Sequence, residues 1–474
     1  MKNKITFLPQ LFKRGSLYVS LVCVLLMSAT MKAQLPTARQ IADKMKVGCN
    51  LGNTLEAICG EGAWGAGTTS QKIIDSIKAA GFNTIRLPSS WYCHSDTATN
   101  IIDADWIERV KEVVDYCMKD SLYTILNIHW DQGWLDYHIN ITDSARVKAR
   151  QRAYWTQIAE YFKDYDEHLL FAGSNEPPAK DETGMSVLLS YHQTFIDAVR
   201  ATGGNNSSRT LVVQGPSTDI DLTNQLMNTL PTDLIDNRLI VEVHYYTPYQ
   251  FCLMQEDADW GKVFYYWGKG NHSTTDAARN ANWGEESDVE KYFGMMKTKF
   301  VDNGIPVIIG EYGAYKRELS PPSDQALNDA SVEYYDRYIV KSAISKGIIP
   351  YYWDTPGGLF DRSTGVVRDW GVVNAIMLGV KEASDTSITT SITELSSSVE
   401  FYPNPFTSTI NIKLDNMDEI TSIMIFDMTG KLVENIEKPD IKASITFGSG
   451  LDQGLYIVRF IRPNDTKSYK VIKH

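Results

Sequence analysis

The sequence has few cysteines, no large block of positive charge and only one long apolar run, and each shortage excludes a class of protein. Only 6 of the 474 residues are cysteine, and their spacing fits neither a metal-binding ring nor a dense disulfide framework. The formal net charge is −12, and no cluster of Lys and Arg beyond the first 14 residues favours a nucleic-acid partner. No HExxH motif and no Cys/His cluster is present, so neither a metal nor a cofactor is expected.

The one long apolar run lies near the N-terminus, at residues 17 to 29, behind four basic residues. This order predicts a secretory signal peptide over residues 1 to 33, removed after Ala33. A membrane anchor is the alternative, but the run is shorter than the ~20 residues that a span requires. We expect no transmembrane segment in the mature chain, which keeps five cysteines once Cys23 has left.

Residues 44 to 383 alternate short apolar runs with amphipathic helical patterns, which indicates parallel βα units. Eight such units predict an α/β fold, a (β/α)8 TIM barrel. A doubly wound open sheet is the alternative, and the lack of a Gly-rich phosphate loop after the first run weakens it. The eight runs are residues 46 to 53, 83 to 88, 122 to 130, 169 to 176, 210 to 215, 238 to 246, 305 to 312 and 347 to 354.

The connection after the sixth run, residues 247 to 285, is much longer than the others and is rich in aromatic residues. Long connections in compact domains are usually functional. Its rings are expected either to wall a sugar-binding cleft, because flat rings stack on pyranose faces, or to form a small core within the connection itself.

The composition changes at residue 384. Residues 384 to 397 are rich in Ser and Thr and predict a linker between two domains. Residues 398 to 474 show several short alternating runs separated by turn signals, which predict a small all-β sandwich.

Two of the barrel runs carry a carboxylate at or near their C-terminal ends, Glu176 in residues 169 to 176 and Glu311 in residues 305 to 312. Barrel enzymes build their sites at the C-terminal ends of the strands, where these two acids would meet. A pair of acids suits glycoside hydrolysis, in which one protonates the leaving oxygen and the other attacks the sugar. Other side chains at the ends of these and further runs are Arg86, His129, Asn175, His244, Tyr246 and Trp353.

These residues stand in the motifs GFNTIRLP, NIHW, SNEP, VHYYTPYQF, IGEYG and YYWD, and their order resembles glycoside hydrolase family 5, the cellulase family. The resemblance spans residues 44 to 380 and implies a retaining enzyme with Glu176 as acid/base and Glu311 as nucleophile. It implies supporting roles for Arg86, His129, Asn175, His244 and Tyr246, and substrate contacts from Trp353, Asn53 and Trp134.

Particular roles follow from the same resemblance. Arg86 and Tyr246 would hold Glu311 ionised, and Asn175 would bond the sugar 2-hydroxyl. Repulsion between the two acids is expected to keep the pKa of Glu176 high until the nucleophile is consumed.

The C-terminal segment SVEFYPNPF, followed by DMTGK and GLYIVRF, resembles the sorting domain of the type IX secretion system. This implies secretion machinery as a partner, a secreted or cell-surface location, and no part in catalysis for residues 398 to 474. A small sugar-binding or adhesion module is the alternative.

The sequence therefore predicts a secreted, monomeric endo-β-1,4-glucanase that acts on cellulose or related β-glucans. The segments NLGNTLEA and GGLFDRSTG resemble cellulase and xyloglucanase branches, which favours glucan over mannan. Alternatives on the same fold are a xyloglucanase, a lichenase or a β-mannanase. A non-catalytic surface glycan-binding protein is the alternative from another class.

Overall fold

The structure is a computed structural model in which the chain divides into two compact units, residues 1–388 and 389–474. The boundary lies inside the predicted linker. The predicted signal peptide and most of that linker lie outside the described residues. The structure describes residues 35–319, 322–386, 399–414, 422–427, 432–437, 445–461 and 466–474.

The first unit contains a closed barrel of eight parallel strands, which confirms the predicted (β/α)8 fold. Each strand pairs with the next along the chain, and β8 pairs with β1 to close the barrel. The strands are β1 (Gly48–Leu51), β2 (Thr84–Leu87), β3 (Tyr123–Asn127), β4 (Leu169–Ala172), β5 (Leu211–Gln214), β6 (Leu239–Tyr245), β7 (Val307–Tyr312) and β8 (Ile348–Asp354).

Helices connect these strands, and each long one buries the apolar face that its sequence pattern predicts. In the helix at residues 104–119, for example, Trp106, Val110 and Cys117 are buried. The helices are α1 (Ala38–Ala42), α2 (Gln71–Ala79), α3 (Ala104–Lys119), α4 (Ile141–Tyr161), α5 (Glu182–Ala201), α6 (Ile220–Leu226), α7 (Tyr249–Cys252), α8 (Glu286–Lys299), α9 (Pro322–Ser345) and α10 (Trp370–Thr386).

Apolar side chains alternate between two cores along the strands. Ile125 belongs to the cluster inside the barrel, whereas its neighbour Leu126 belongs to the cluster between the barrel and the helices. Ile41 of α1 joins the inner cluster. This arrangement fills the barrel with side chains and leaves its C-terminal end for polar residues.

The long aromatic connection serves partly as a core of its own. Phe251, Tyr266 and Trp267 are buried, and Trp267 packs against Tyr335 of α9 at 5.0 Å between ring centroids. Trp260 is among the rings of this connection that stay exposed. The buried rings therefore stabilise the loop, and only the exposed ones are available for a ligand.

The second unit forms two antiparallel sheets, as predicted for a sandwich, around one core that includes Phe406, Ile423 and Val458. The sheet orders are β9-β10-β13 and β12-β11-β14-β15. The strands are β9 (Val399–Tyr402), β10 (Ile410–Leu414), β11 (Ser422–Asp427), β12 (Leu432–Glu437), β13 (Ile445–Phe447), β14 (Gly454–Ile461) and β15 (Thr466–Lys473).

Candidate active site

Arg86 lies at the centre of the polar cluster at the C-terminal end of the barrel. Its guanidinium is fully buried and makes contacts from β2 to four other side chains. Nη1 donates to Oε1 of Glu311 and to Oδ1 of Asn50, both at 3.0 Å, and Nη2 donates to Oδ1 of Asn175 at 2.7 Å. Nε pairs with Oε1 of Glu242 at 2.9 Å. One cation thus orients groups from four further strands or strand ends.

Glu311, on β7, has a donor on each carboxylate oxygen. Arg86 contacts Oε1, and the hydroxyl of Tyr246 donates to Oε2 at 3.1 Å. The preceding residue, Gly310, has no room for a side chain, since a Cβ there would lie 2.0 Å from Oε1 of Glu242. Glycine at this position therefore allows a second carboxylate to lie beneath the site.

Burial raises the pKa of Glu311, and the charges of Glu176 and Glu242 add to that effect. The cations His244 and Arg86 oppose it. Because these cations and the Tyr246 hydroxyl all favour the anion, the site contains the groups that an ionised nucleophile needs.

Glu176 lies beyond the end of β4, with 46% of its side chain exposed. Nδ1 of His244 lies 2.6 Å from its Oε1. Burial lowers the pKa of His244, but Glu311, Glu176 and Glu242 outweigh it and raise that pKa to about 10. The imidazole is therefore protonated at neutral pH and carries the proton of this hydrogen bond.

The direction of the Glu176 pKa differs from the sequence-based expectation. Burial raises it, but the hydrogen bond and charge of His244 lower it further, so the net shift is downward. The expectation considered only repulsion from Glu311 and omitted the imidazolium at 2.6 Å. The resting proton is held by the Glu176–His244 pair, mainly on the imidazole.

The two acids face each other closely. Oxygen atoms of Glu176 and Glu311 and a nitrogen of His244 all lie within 4.8 Å of one another. Retaining glycosidases place their carboxyl groups ~5 to 5.5 Å apart, whereas inverting enzymes need ~6.5 to 9.5 Å to admit a water. The observed spacing suits direct attack by one acid while the other protonates.

Aromatic and loop residues surround these acids. His129 stacks on Trp353 with 5.7 Å between ring centroids and 10° between planes. Burial, Arg86 and His244 lower the pKa of His129 well below its usual value, so its ring is neutral. Asn53 lies in the loop after β1 in a left-handed conformation, and its backbone N–H donates to Glu56.

Trp134 does not lie on the cleft surface, which corrects the expectation that it contacts substrate. Its side chain is 5% exposed and packs against Tyr154. Its indole N–H donates to Oδ2 of Asp131 at 2.9 Å, and Oδ1 of Asp131 accepts the backbone N–H groups of Trp91 and Tyr92. Trp134 thus fixes the loops after β2 and β3 and offers no free ring face.

Three residues that were not predicted from the sequence, Glu242, Asn50 and Gln214, form the layer beneath the acids. All three are fully buried. Nε2 of Gln214 donates to Oε2 of Glu242 at 2.6 Å, and Asn50 Nδ2 donates to the Gly310 carbonyl at 2.8 Å. A signal for Glu242 was present, since a carboxylate inside an apolar strand requires a buried partner.

Metal binding at this site competes with its proton chemistry. Among the described residues, Glu176–His244–Glu311 and Asp166–Glu167–His168 are two groups with ligand-type atoms within 4.8 Å. In the first group the imidazole is protonated and hydrogen-bonded, whereas a metal needs it neutral. The expectation that the enzyme uses no metal stays a prediction.

Comparison with known proteins identifies the families of the two parts of the chain. The profile described as cellulase (glycosyl hydrolase family 5) matches residues 44–357, and that of the secretion system C-terminal sorting domain matches residues 400–474. The second match supports a secreted or cell-surface protein. Within the part of the chain that the structure describes, no helix has the length and apolarity to span a bilayer.

Three relatives illustrate the similarity. The xyloglucan-specific endo-beta-1,4-glucanase of Bacteroides ovatus is 36% identical over 73% of this chain and 70% of its own. A xyloglucan-specific beta-1,4-glucanase from a ruminal metagenomic library is 44% identical, with a TM-score of 0.67 over 74% of this chain and 96% of its own. A broad specificity endoglucanase from Bacteroides salanitronis is 35% identical, with a TM-score of 0.64 over 73% and 95%. The chain therefore belongs to glycosyl hydrolase family 5 and is a glycoside hydrolase of the endo-β-1,4-glucanase type.

Proposed function

We propose that this enzyme is a retaining endo-β-1,4-glucanase that cleaves internal bonds of β-glucans by double displacement. The observation that supports this most directly is the approach of Glu176 and Glu311 to within 4.8 Å. Glu311 attacks the anomeric carbon and forms a glycosyl-enzyme, while Glu176 protonates the departing oxygen. Glu176 then acts as the base for the water that releases the sugar.

The charge network couples the two steps. Glu311 is the largest of the charges that raise the pKa of His244. When Glu311 attacks, its negative charge is lost to the new ester bond, so the imidazolium becomes more acidic. The proton at Nδ1 then moves more readily to Oε1 of Glu176, 2.6 Å away, and on to the leaving oxygen. Nucleophilic attack thus promotes proton delivery.

Other residues would bind the sugar. Arg86 holds Oδ1 of Asn175, which makes the amide nitrogen the group to donate to a 2-hydroxyl. Trp353 would lie beneath the reacting ring, because its indole stacks on His129 at the C-terminal end of β8. Asn53 would contact substrate from the loop after β1.

A branched β-glucan is a second candidate substrate. A cavity of about 440 Å³ adjoins Tyr246 and Trp353 and is also lined by Tyr315, Thr355 and Gly357. Because it adjoins two residues of the proposed reacting site, sugar branches on a glucan chain would be held here. The names of two of the relatives specify xyloglucan, which fits a substrate with side chains.

Paired variants test the catalytic roles. Glu311→Gln should bind glycan but lose hydrolysis by several orders of magnitude, since an amide cannot form the glycosyl-enzyme. Glu176→Ala should still react with an activated aryl glycoside, and azide should restore turnover with a β-glycosyl azide as product. A lack of azide rescue would contradict the role of Glu176.

A substrate panel tests specificity. Carboxymethylcellulose, mixed-linkage glucan, xyloglucan and galactomannan should be compared by kcat/KM with the same enzyme preparation. We expect kcat/KM for every β-glucan to exceed that for galactomannan, and the branched-substrate alternative expects the highest value for xyloglucan. Preference for galactomannan would show that the enzyme is a mannanase.

A further inference from the structure

Glu242 connects the partners of both acids from below the site. It is fully buried on β6 and pairs with Nε of Arg86 at 2.9 Å, while Nε2 of His244 lies 3.3 Å from the same oxygen. Arg86 contacts Glu311, and His244 contacts Glu176. Glu242 therefore reaches the nucleophile through one cation and the acid/base through the other.

The protein builds a dedicated place for this carboxylate. Gln214 of β5 donates to its second oxygen at 2.6 Å, and the same amide accepts from the backbone N–H of Ser174 at 3.0 Å. Gly310 leaves the space that its first oxygen occupies. Two neighbouring strands thus accommodate a charge that would be costly to bury without partners.

We propose that Glu242 is a positioning residue that keeps His244 as a protonated partner of Glu176 and keeps Arg86 directed at Glu311. Glu242 touches neither substrate nor reacting atoms. Its proposed role rests on the roles proposed for Glu176 and Glu311. Its negative charge sets the pH range in which both acids are in their working states. The titratable or charged groups around the pair formed by Glu242 and His244 are Arg86, His129, Glu176, Tyr246, Glu311 and Tyr351.

The test is the pH profile of kcat/KM for Glu242→Gln in the full chain. Loss of a nearby negative charge lowers the pKa of both Glu311 and His244, since Glu242 raises each of them. Both limbs of the profile should therefore move to lower pH, by about one to three units for a charge at this distance. Activity on the alkaline side should fall about tenfold per unit of that movement.

Matched variants separate positioning from folding. Glu242→Asp keeps the charge and should keep the limbs near those of the wild type, even if kcat falls. Asp233→Asn removes another buried carboxylate, paired with Arg200 at 2.6 Å near the opposite end of the barrel, and should cost stability without moving the limbs. If Glu242→Gln is unstable, Gln214→Leu, which removes one donor to the carboxylate, should instead raise the Glu242 pKa and move the limbs the same way by less.

The outcomes are distinct. Reduced activity with unmoved limbs in Glu242→Gln would overturn the proposal and leave Glu242 a purely structural residue. Inverted stereochemistry of the wild-type product would instead refute the proposed function, and it can be measured without any Glu242 variant.

A second inference arises from two cysteines on neighbouring cleft loops. The backbone N–H of Cys59, after β1, donates to Sγ of Cys93, after β2, at 2.9 Å. Since an N–Cα bond is about 1.46 Å, this sulfur lies within about 4.4 Å of the Cys59 Cα. The thiol of Cys59 also interacts directly with the thiol of Cys93, and a disulfide forms where two such sulfurs can approach to about 2.05 Å. Cys59 is exposed and Cys93 partly exposed, so both can be reached by an oxidant.

We infer that Cys59 and Cys93 form a disulfide once the enzyme has left the cytoplasm. One thiolate attacks a disulfide of an extracytoplasmic thiol oxidoreductase, and the second thiolate then displaces that protein. The oxidoreductase leaves with two thiols, and the electrons and protons balance. Gln132, after β3, donates to Sγ of Cys59 at 3.5 Å, so the bond would join two loops that already meet a third.

Thiol counting of the secreted protein tests this inference. The other cysteines beyond residue 34 are Cys49, Cys117 and Cys252, which are buried. After denaturation without reductant, iodoacetamide should modify three cysteines, and after reduction it should modify five. A peptide that links Cys59 to Cys93 should be found, and Cys59→Ser should leave four modifiable thiols and no link. Five modified thiols without reductant, or a link to a different cysteine, would overturn the inference.

Discussion

Replacing Arg86 by methionine tests how strongly the site depends on one buried cation. The guanidinium pairs with Glu242 at 2.9 Å and Glu311 at 3.0 Å, and methionine would leave both buried carboxylates without it. Breaking a buried pair costs about 3 to 5 kcal/mol. With about 2 to 4 °C per kcal/mol for a large domain, the thermal midpoint should fall by roughly 6 to 20 °C.

The same variant should change the pH profile in the direction opposite to Glu242→Gln. Arg86 lowers the pKa of Glu311 and of Glu176, so its loss raises both. The acidic limb, which reports ionisation of the nucleophile, should move to higher pH by about one to three units. Calorimetry and kcat/KM between pH 4 and pH 9 measure the two effects.

Arg200→Met is the matched control, because Arg200 and Asp233 form a buried ion pair near the other end of the barrel. It should lower the thermal midpoint and leave the limbs of the profile in place. A loss of less than about 1 kcal/mol of stability in Arg86→Met, or an acidic limb that stays where it is in the wild type, would contradict this role of Arg86.

Three further outcomes are expected. Burial, then Glu176 and Asp131, raise the pKa of Asp136 to about 8. The folded protein therefore binds one more proton than the unfolded chain between about pH 4 and pH 8, and wild-type stability should fall as pH rises through that window. In urea unfolding, Asp136→Asn should show a smaller decrease. A chain ending at Ile388 should match the full chain on soluble glucan, because each unit has its own core, and a tenfold loss would contradict this. Trp353→Ala should lower kcat/KM at least tenfold without moving the limbs of the pH profile. Activity equal to that of the wild type would rule out a place for Trp353 beneath the reacting ring.

Periodicity was enough to predict the barrel, because parallel strands are buried on both faces and stand out as apolar runs. The ends of those runs then identified Arg86, His244 and Glu311, since the C-terminal ends of parallel strands meet at one rim. In the second unit the alternating runs TINIKL, TSIMIFD, GLYIVRF and SYKVIKH predicted β10, β11, β14 and β15, whereas β9, β12 and β13 were not predicted. The strands β9 and β13 have only four and three residues, and β12 has the sequence LVENIE, which does not alternate regularly between apolar and polar residues.

Layers beneath the site and the balance of charges were harder to predict. Asn50 and Gln214 are ordinary polar residues whose roles depend on contacts with distant strands. Trp134 carries an aromatic ring in a cleft loop, and only packing shows that the ring faces inward. The pKa of Glu176 depends on a 2.6 Å contact with His244, which the sequence placed near it without giving the distance or the charge.

Covalent trapping of the glycosyl-enzyme identifies the nucleophile of this enzyme. A 2-deoxy-2-fluoro glycoside with an activated leaving group slows both steps but slows release more, so a glycosyl-enzyme accumulates. After digestion at low pH, mass spectrometry of the peptides should place the sugar on Glu311. In Glu176→Ala, too, no residue other than Glu311 should carry the sugar. A label on another side chain, or a product of inverted anomeric configuration by NMR, would contradict the assignment of Glu311 as the nucleophile of a retaining enzyme.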